Sequence, residues 1–157
     1  MPTTSPGASW STDMPGGADA PARARRSMLA HLPPDEIGIS FDDISLIISE
    51  LVTNSVTHAS VDASRQLTLS AQPTSGGWRI AVCDPGSDTE PHVRTPGAWG
   101  AGGLGLQLVE RLCTNWGTFR DSRHATHVWC DLPLPGDAHP LGAAVGAARA
   151  DPPHRVI

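Results

Sequence analysis

Six aliphatic residues, Ile44, Ile47, Ile48, Leu51, Val52 and Val56, recur at three- and four-residue intervals behind Ser40. That spacing puts all of them on one face of a helix. Ser40 with Asp43 three residues on has the form of a capping box, in which the hydroxyl accepts from a first-turn amide that has no partner inside the helix. A stripe so continuous must be buried against a second layer. The segments that follow can supply it. Gln66–Gln72 alternates cleanly and Trp78–Asp84 is apolar through Ile80–Cys83, with Pro, Thr, Ser and two glycines between them, so the pair reads as a hairpin. Further on, Leu104–Cys113 reads as a helix with Leu104, Leu108, Val109 and Leu112 inward, and Trp116–Arg120 and Thr126–Leu132 read as two more strands. Upstream, Pro21–Leu32 has a proline at its start and two prolines after Leu32, which makes it a further helix, with Arg23, Arg25 and Arg26 on its exposed side. Helices gathered before and between largely antiparallel strands predict an α/β (α+β) two-layer sandwich, a mixed, mainly antiparallel sheet with helices on one face.

The chain of 157 residues suits one domain. Residues 1–20 are rich in Pro, Gly, Ser, Thr and Ala, and residues 135–157 have the same character. Such segments carry too little apolar surface to offset the entropy of ordering, so both are expected to be disordered arms around a folded domain at 21–134. The net charge is -5 and lysine is absent, which excludes a broad basic surface for neutralising a phosphate backbone. Nucleic acid is therefore not expected as a direct ligand. No run approaches the roughly 20 apolar residues of a membrane span, and a cytoplasmic location is expected. Cys83, Cys113 and Cys130 lie in apolar runs without CxxC spacing and read as small buried hydrophobes.

Three places can carry chemistry. Glu50 and Asn54, four apart on the striped helix, share a flank. An amide carbonyl suits magnesium and a nearby carboxylate can take a proton, although two solvated polar residues would look the same. Asp84 closes an apolar strand before Pro85 and Gly86. As an acceptor-only group it would favour the amine of adenine over the carbonyl oxygen of guanine, while a simple Asp-Pro-Gly turn is the alternative. The run Trp99–Leu106 (WGAGGLGL) leads into a helix, so its glycines allow the backbone to approach a phosphate at the helix N-terminus.

Three familiar motifs do not fit. Gly100, Gly102 and Gly105 satisfy G-x-G-x-x-G with Asp121 downstream, but the preceding strand ends about fifteen residues too early for a dinucleotide fold. A Walker A loop needs a lysine that this chain lacks. His124, His127 and Cys130 have a zinc-like spacing, yet strand alternation sends His127 and Cys130 to opposite faces.

Taken together, Glu50–Ala59 (ELVTNSVTHA), Val82–Gly86 (VCDPG) and Gly102–Leu112 (GGLGLQLVERL) resemble, in order, the N box, G1 box and G2 box of the GHKL ATPase superfamily, and Thr126–Trp129 (THVW) resembles its last strand. The likeness covers roughly residues 21–135 and is nearest to the stand-alone anti-sigma factor serine kinases of high-GC bacteria. It implies an ATP-binding domain that holds ATP and Mg2+. In that scheme Glu50 is the general base, Asn54 holds the metal and His58 lies at the pocket's edge. Asp84 reads adenine with Thr126 through a water, and Gly86 shapes the pocket. Gly103, Leu104, Gly105 and Leu106 bring the lid and helix start to the phosphates. The implied reaction moves the ATP γ-phosphoryl group to a serine of an anti-anti-sigma, STAS-type partner, with a sigma factor as the second partner and a homodimer as the assembly. A second reading, drawn from the short lid without lysine, is a catalytically silent ATP-dependent switch that sequesters a sigma factor or other regulator.

Overall fold

The computed structural model describes residues 8–58, 62–86 and 104–137. In chain order the elements are β1 (Trp10–Pro15), α1 (Ala20–Leu29), α2 (Phe41–His58), β2 (Gln66–Thr74), β3 (Gly77–Asp84), α3 (Leu104–Leu112), β4 (Asn115–Arg120) and β5 (Thr126–Pro133). The five strands form one open sheet in the order β1-β2-β3-β5-β4. Every pairing is antiparallel, so the mixed sheet expected from the sequence is, among the described strands, uniform.

Register and burial define two unlike faces. On β3, Trp78, Ile80, Val82 and Asp84 are buried while Arg79, Ala81 and Cys83 are not. Leu69 and Ala71 on β2, and Val128, Cys130 and Leu132 on β5, stand opposite these residues and are buried with them. The helices cover this face: Ala20, Ala24 and Met28 of α1, the Ile44–Val52 stripe of α2 and Val109 of α3 belong to the same core. Helix α2 lies over β3 and β5 and is flanked by α1 and α3.

The caps and turns explain where elements begin. The Asp43 amide donates to Ser40 Oγ at 3.1 Å, and that hydroxyl donates to Asp43 Oδ2 at 2.9 Å, so the expected cap starts α2. Trp78 is buried, and its indole Nε1 donates to Glu36 Oε2 at 3.1 Å, which satisfies the one polar atom of a large core side chain.

Two expectations are corrected. Residues 1–20 do not form a wholly disordered arm, because 10–15 make β1 and Ala20 opens α1. Only two large apolar side chains mark that strand. Trp10 stacks on His31 with ring centroids 4.4 Å apart, and Met14 is buried opposite Leu67. Ladder hydrogen bonds to β2 supply what local propensity does not. Nor is the arginine side of α1 simply solvated: Arg23 Nη2 donates to the Pro15 and Gly16 carbonyls, and Arg25 Nη1 donates to Ser49 Oγ at 2.8 Å. Of the proposed tail 135–157, all but residues 135–137 lies outside the described residues.

Candidate functional site

Alternation along β3 places Asp84 in line with Ile80 and Val82, under the helices, where an apolar residue would continue the core. Its exposure is 4%. Burial without counter-charge strongly disfavours a carboxylate, and the surroundings show how the cost is limited. The Gly86 amide donates to Asp84 Oδ1 at 2.8 Å, closing an Asx-type turn that leaves Oδ2 outside it. Arg65, in the turn before β2, donates through Nη2 to the Gly86 carbonyl. Burial is the largest influence and raises the Asp84 pKa above the usual carboxylate value; the Gly86 hydrogen bond and the charges of Arg65, Arg120 and His127 pull it back only in part.

Gly86 is required by geometry. Its φ is +77°, and a Cβ built there would lie 2.1 Å from the His124 carbonyl oxygen. The turn after β3 is therefore packed, backbone against backbone, on the β4–β5 hairpin. That hairpin brings Thr126 opposite Asp84, and Arg120 opposite Thr126. Asp84, Thr126 and Arg120 thus form a row across β3, β5 and β4 on the helix-covered face, with Arg120 Nε 3.5 Å from Thr126 Oγ1.

On the other face of the same strands, His127 stacks on Phe119 at 4.4 Å, its Nε2 is 3.0 Å from Asp121 Oδ2 and 3.5 Å from Cys83 Sγ. Asp121 fixes the hairpin turn, accepting at Oδ1 from the Arg123 and Ala125 amides. The hydrogen bond from His127 is the chief reason its pKa is lowered. Cys83 is no thiolate: burial first, then the charges of Asp121, Asp84 and Asp13, push its pKa up to about 11.

Helix α2 contributes the second group. Glu50 and Asn54 are half-buried on one flank, beside the stripe they do not interrupt. Among the described residues Asn54 Nδ2 is buried with no hydrogen-bond partner, as is Arg23 Nε; an amide so placed normally finds one. Among the described residues no hydrogen bond joins Glu50 or Asn54 to Asp84, Gly86 or Thr126; the two groups share the helix-covered side through the packing of α2 on β3. His58 is the last residue of α2, one turn beyond Asn54, and Leu104, Gly105 and Leu106 make the first turn of α3. The side chains of His58, Leu104 and Leu106 and the whole of Gly103 lie outside the described residues.

A family model described as a histidine kinase-like ATPase domain matches residues 19–130. The chain belongs to that family. The comparison with curated proteins found no match.

Membership in the histidine kinase-like ATPase family implies that the domain binds ATP. Against that background the discarded motifs find other uses. Asp121, which a dinucleotide fingerprint would assign to a ribose, instead clamps a hairpin, and the antiparallel sheet rules out the parallel unit such a fingerprint needs. His127 and Cys130 do face opposite sides of β5. Cys113 and Cys130 are buried thiols in the core of the ATPase domain, whereas Cys83 is only half-buried, on the uncovered face. No helix among the described residues is long and apolar enough to cross a membrane.

Sequence reasoning missed Arg65 and Arg120, the two cations beside Asp84. Arg120 was within reach: hairpin register with Thr126 and strand alternation together put it on the Asp84 side. Arg65 had no such signal, since it precedes its strand and acts across 21 residues of chain.

Proposed function

We propose that this ATPase domain is an ATP-dependent regulator that works as a protein-serine kinase, transferring the γ-phosphoryl group of ATP to a serine of an anti-anti-sigma, STAS-type partner. The single observation that supports ATP as substrate is the buried Asp84 carboxylate, held as an acceptor at the end of an otherwise apolar row. A group that only accepts hydrogen bonds suits the exocyclic amine of adenine and is mismatched to a 6-oxo purine. Thr126 is directly across the ladder from Asp84, which supports giving it a water beside the same ring edge.

The unpartnered amide of Asn54 fits a polar ligand, and its Oδ1 is a suitable hard donor for magnesium. Magnesium, when bound, neutralises charge on the phosphate oxygens. Glu50, one helical turn before Asn54, is the candidate base for the serine hydroxyl. Gly105 lies in the first turn of α3, where backbone amides suit a phosphate at the positive end of the helix dipole; Gly103, outside the described residues, is assigned to the same phosphates. With lysine absent from the whole chain, phosphate charge must be met by such amides, arginine and the metal.

The test uses ATP labelled at the γ-phosphate, magnesium and the cognate STAS-type protein. Phosphoserine should form on the partner, and Glu50→Ala should abolish transfer while leaving ATP affinity within about twofold. ATP binding without transfer to the partner, or full transfer by Glu50→Ala, would refute the kinase reading.

A further inference from the structure

We propose that Arg65 decides base choice in this domain: its charge, anchored on the Gly86 carbonyl, keeps Asp84 an acceptor and so favours a 6-amino over a 6-oxo purine. The inference rests on the adenine reading of Asp84 and adds a positioning residue to it.

A buried carboxyl can take two forms. Ionised, it accepts from an amine and repels a carbonyl oxygen; protonated, it gains a donor and can satisfy the carbonyl oxygen of hypoxanthine or guanine. Selectivity between the two purines therefore depends on which form the site maintains. Asp84 sits where burial favours the neutral form. Against this stand one backbone donor, Gly86 N, and the cations Arg65 and Arg120. His127 also acts on it, from the other face of β5.

The two arginines are not equivalent. Arg120 Nε is turned to Thr126 Oγ1 at the limit of hydrogen-bond distance. Arg65 is tied by Nη2 to the carbonyl of Gly86, whose own amide donates to Asp84 Oδ1. One peptide residue thus connects the guanidinium and the carboxylate, and it is the residue whose turn admits no side chain. This arrangement fixes the distance of the charge from Asp84 more firmly than a surface ion pair would. Arg65 also approaches from the turn before β2, outside the row that Asp84, Thr126 and Arg120 form across β3, β5 and β4.

A purely structural role, stapling the start of β2 to the turn after β3, makes a different prediction. It would weaken all nucleotides alike. The experiment measures equilibrium affinities of ATP and inosine triphosphate at neutral pH, with magnesium, for the full chain and for Arg65→Gln, Arg65→Lys, Asp84→Asn and the double variant Arg65→Gln/Asp84→Asn. Arg65→Gln keeps a donor for the Gly86 carbonyl and removes the charge; the ATP-to-inosine-triphosphate preference should fall severalfold, because losing a cation that opposes the effect of burial moves the Asp84 carboxyl toward its neutral form. Arg65→Lys should restore most of the preference. In the Asp84→Asn background, where no carboxylate remains to be held ionised, Arg65→Gln should leave the preference unchanged. Equal loss of both nucleotides in Arg65→Gln, or an undiminished preference, would overturn the inference alone. Equal affinity of the unaltered chain for the two nucleotides would overturn the adenine reading, and the inference with it.

Discussion

Replacing Gly86 by alanine tests the packing on which the candidate site depends. Two costs can be separated. The residue has a φ of +77°, which an L side chain adopts at a penalty of about 1 kcal/mol. Its new Cβ would then lie 2.1 Å from the His124 carbonyl oxygen, more than about 1 Å inside ordinary carbon–oxygen contact, so the β4–β5 hairpin must withdraw; overpacking of this kind costs about 1–3 kcal/mol. The sum is about 3 kcal/mol. Gly136 serves as the control, because its φ is +86° but, among the described residues, nothing lies within 4 Å of its Cβ position, leaving only the conformational part of about 1 kcal/mol. Urea unfolding followed by tryptophan fluorescence measures both variants. Withdrawal of the hairpin also disturbs the row that Asp84 forms with Thr126, so ATP affinity measured by calorimetry should drop tenfold or more in Gly86→Ala and stay unchanged in Gly136→Ala. A Gly86→Ala protein no less stable than Gly136→Ala, or one with native ATP affinity, would show that the turn and hairpin do not depend on each other as described.

Three further outcomes are expected. Asp84→Asn should raise stability at pH 7: the folded-state pKa of Asp84 lies above its unfolded value, so the ionised form burdens the fold at any pH above that range and protonation relieves it; urea titrations at pH 7 showing a loss instead would contradict this, and the same variant should lose selectivity for ATP over GTP. For Asp121 the sign is opposite. Its pKa is lowered by His127, so its contribution is present above the ordinary carboxylate value and lost as pH falls through the depressed one, and the stability gap between the native protein and Asp121→Asn should shrink over that descent in acid titrations followed by circular dichroism. Ser40→Ala removes the cap of α2 and should cost about 1 kcal/mol in urea unfolding without changing ATP affinity, since the cap lies at the other end of α2 from Asn54.

The elements most legible in the sequence were those whose period and borders agree. The stripe of α2 begins at a side-chain cap, and β2 and β3 meet at a tight turn through Ser75 and Gly76, with β2 running on through Pro73 and Thr74, so packing and local preference agree except at that border. Strand β1 was hidden because its order comes from its neighbour: Thr12 and Met14 are held by pairing with Leu69 and Leu67, not by anything in their own composition. The same division runs through the site. Asp84 stands out as the carboxylate that ends an apolar strand, whereas Gly86 and Thr126 are marked only by the resemblance to the ATPase boxes; the fold sets Thr126 opposite Asp84. Arg65 escaped because a guanidinium reaching a carbonyl far along the chain leaves no period to detect, and its effect on Asp84 is a property of burial that sequence does not display.

The family match starts at residue 19, after β1 has ended. Cutting the chain at that boundary for expression would strip the sheet's outer strand and turn β2 into the margin, with the backbone that met residues 10–15 left without its ladder. Such a raw margin invites edge-to-edge aggregation. Gene design for this domain should therefore keep the first twenty residues, however dispensable their composition makes them look.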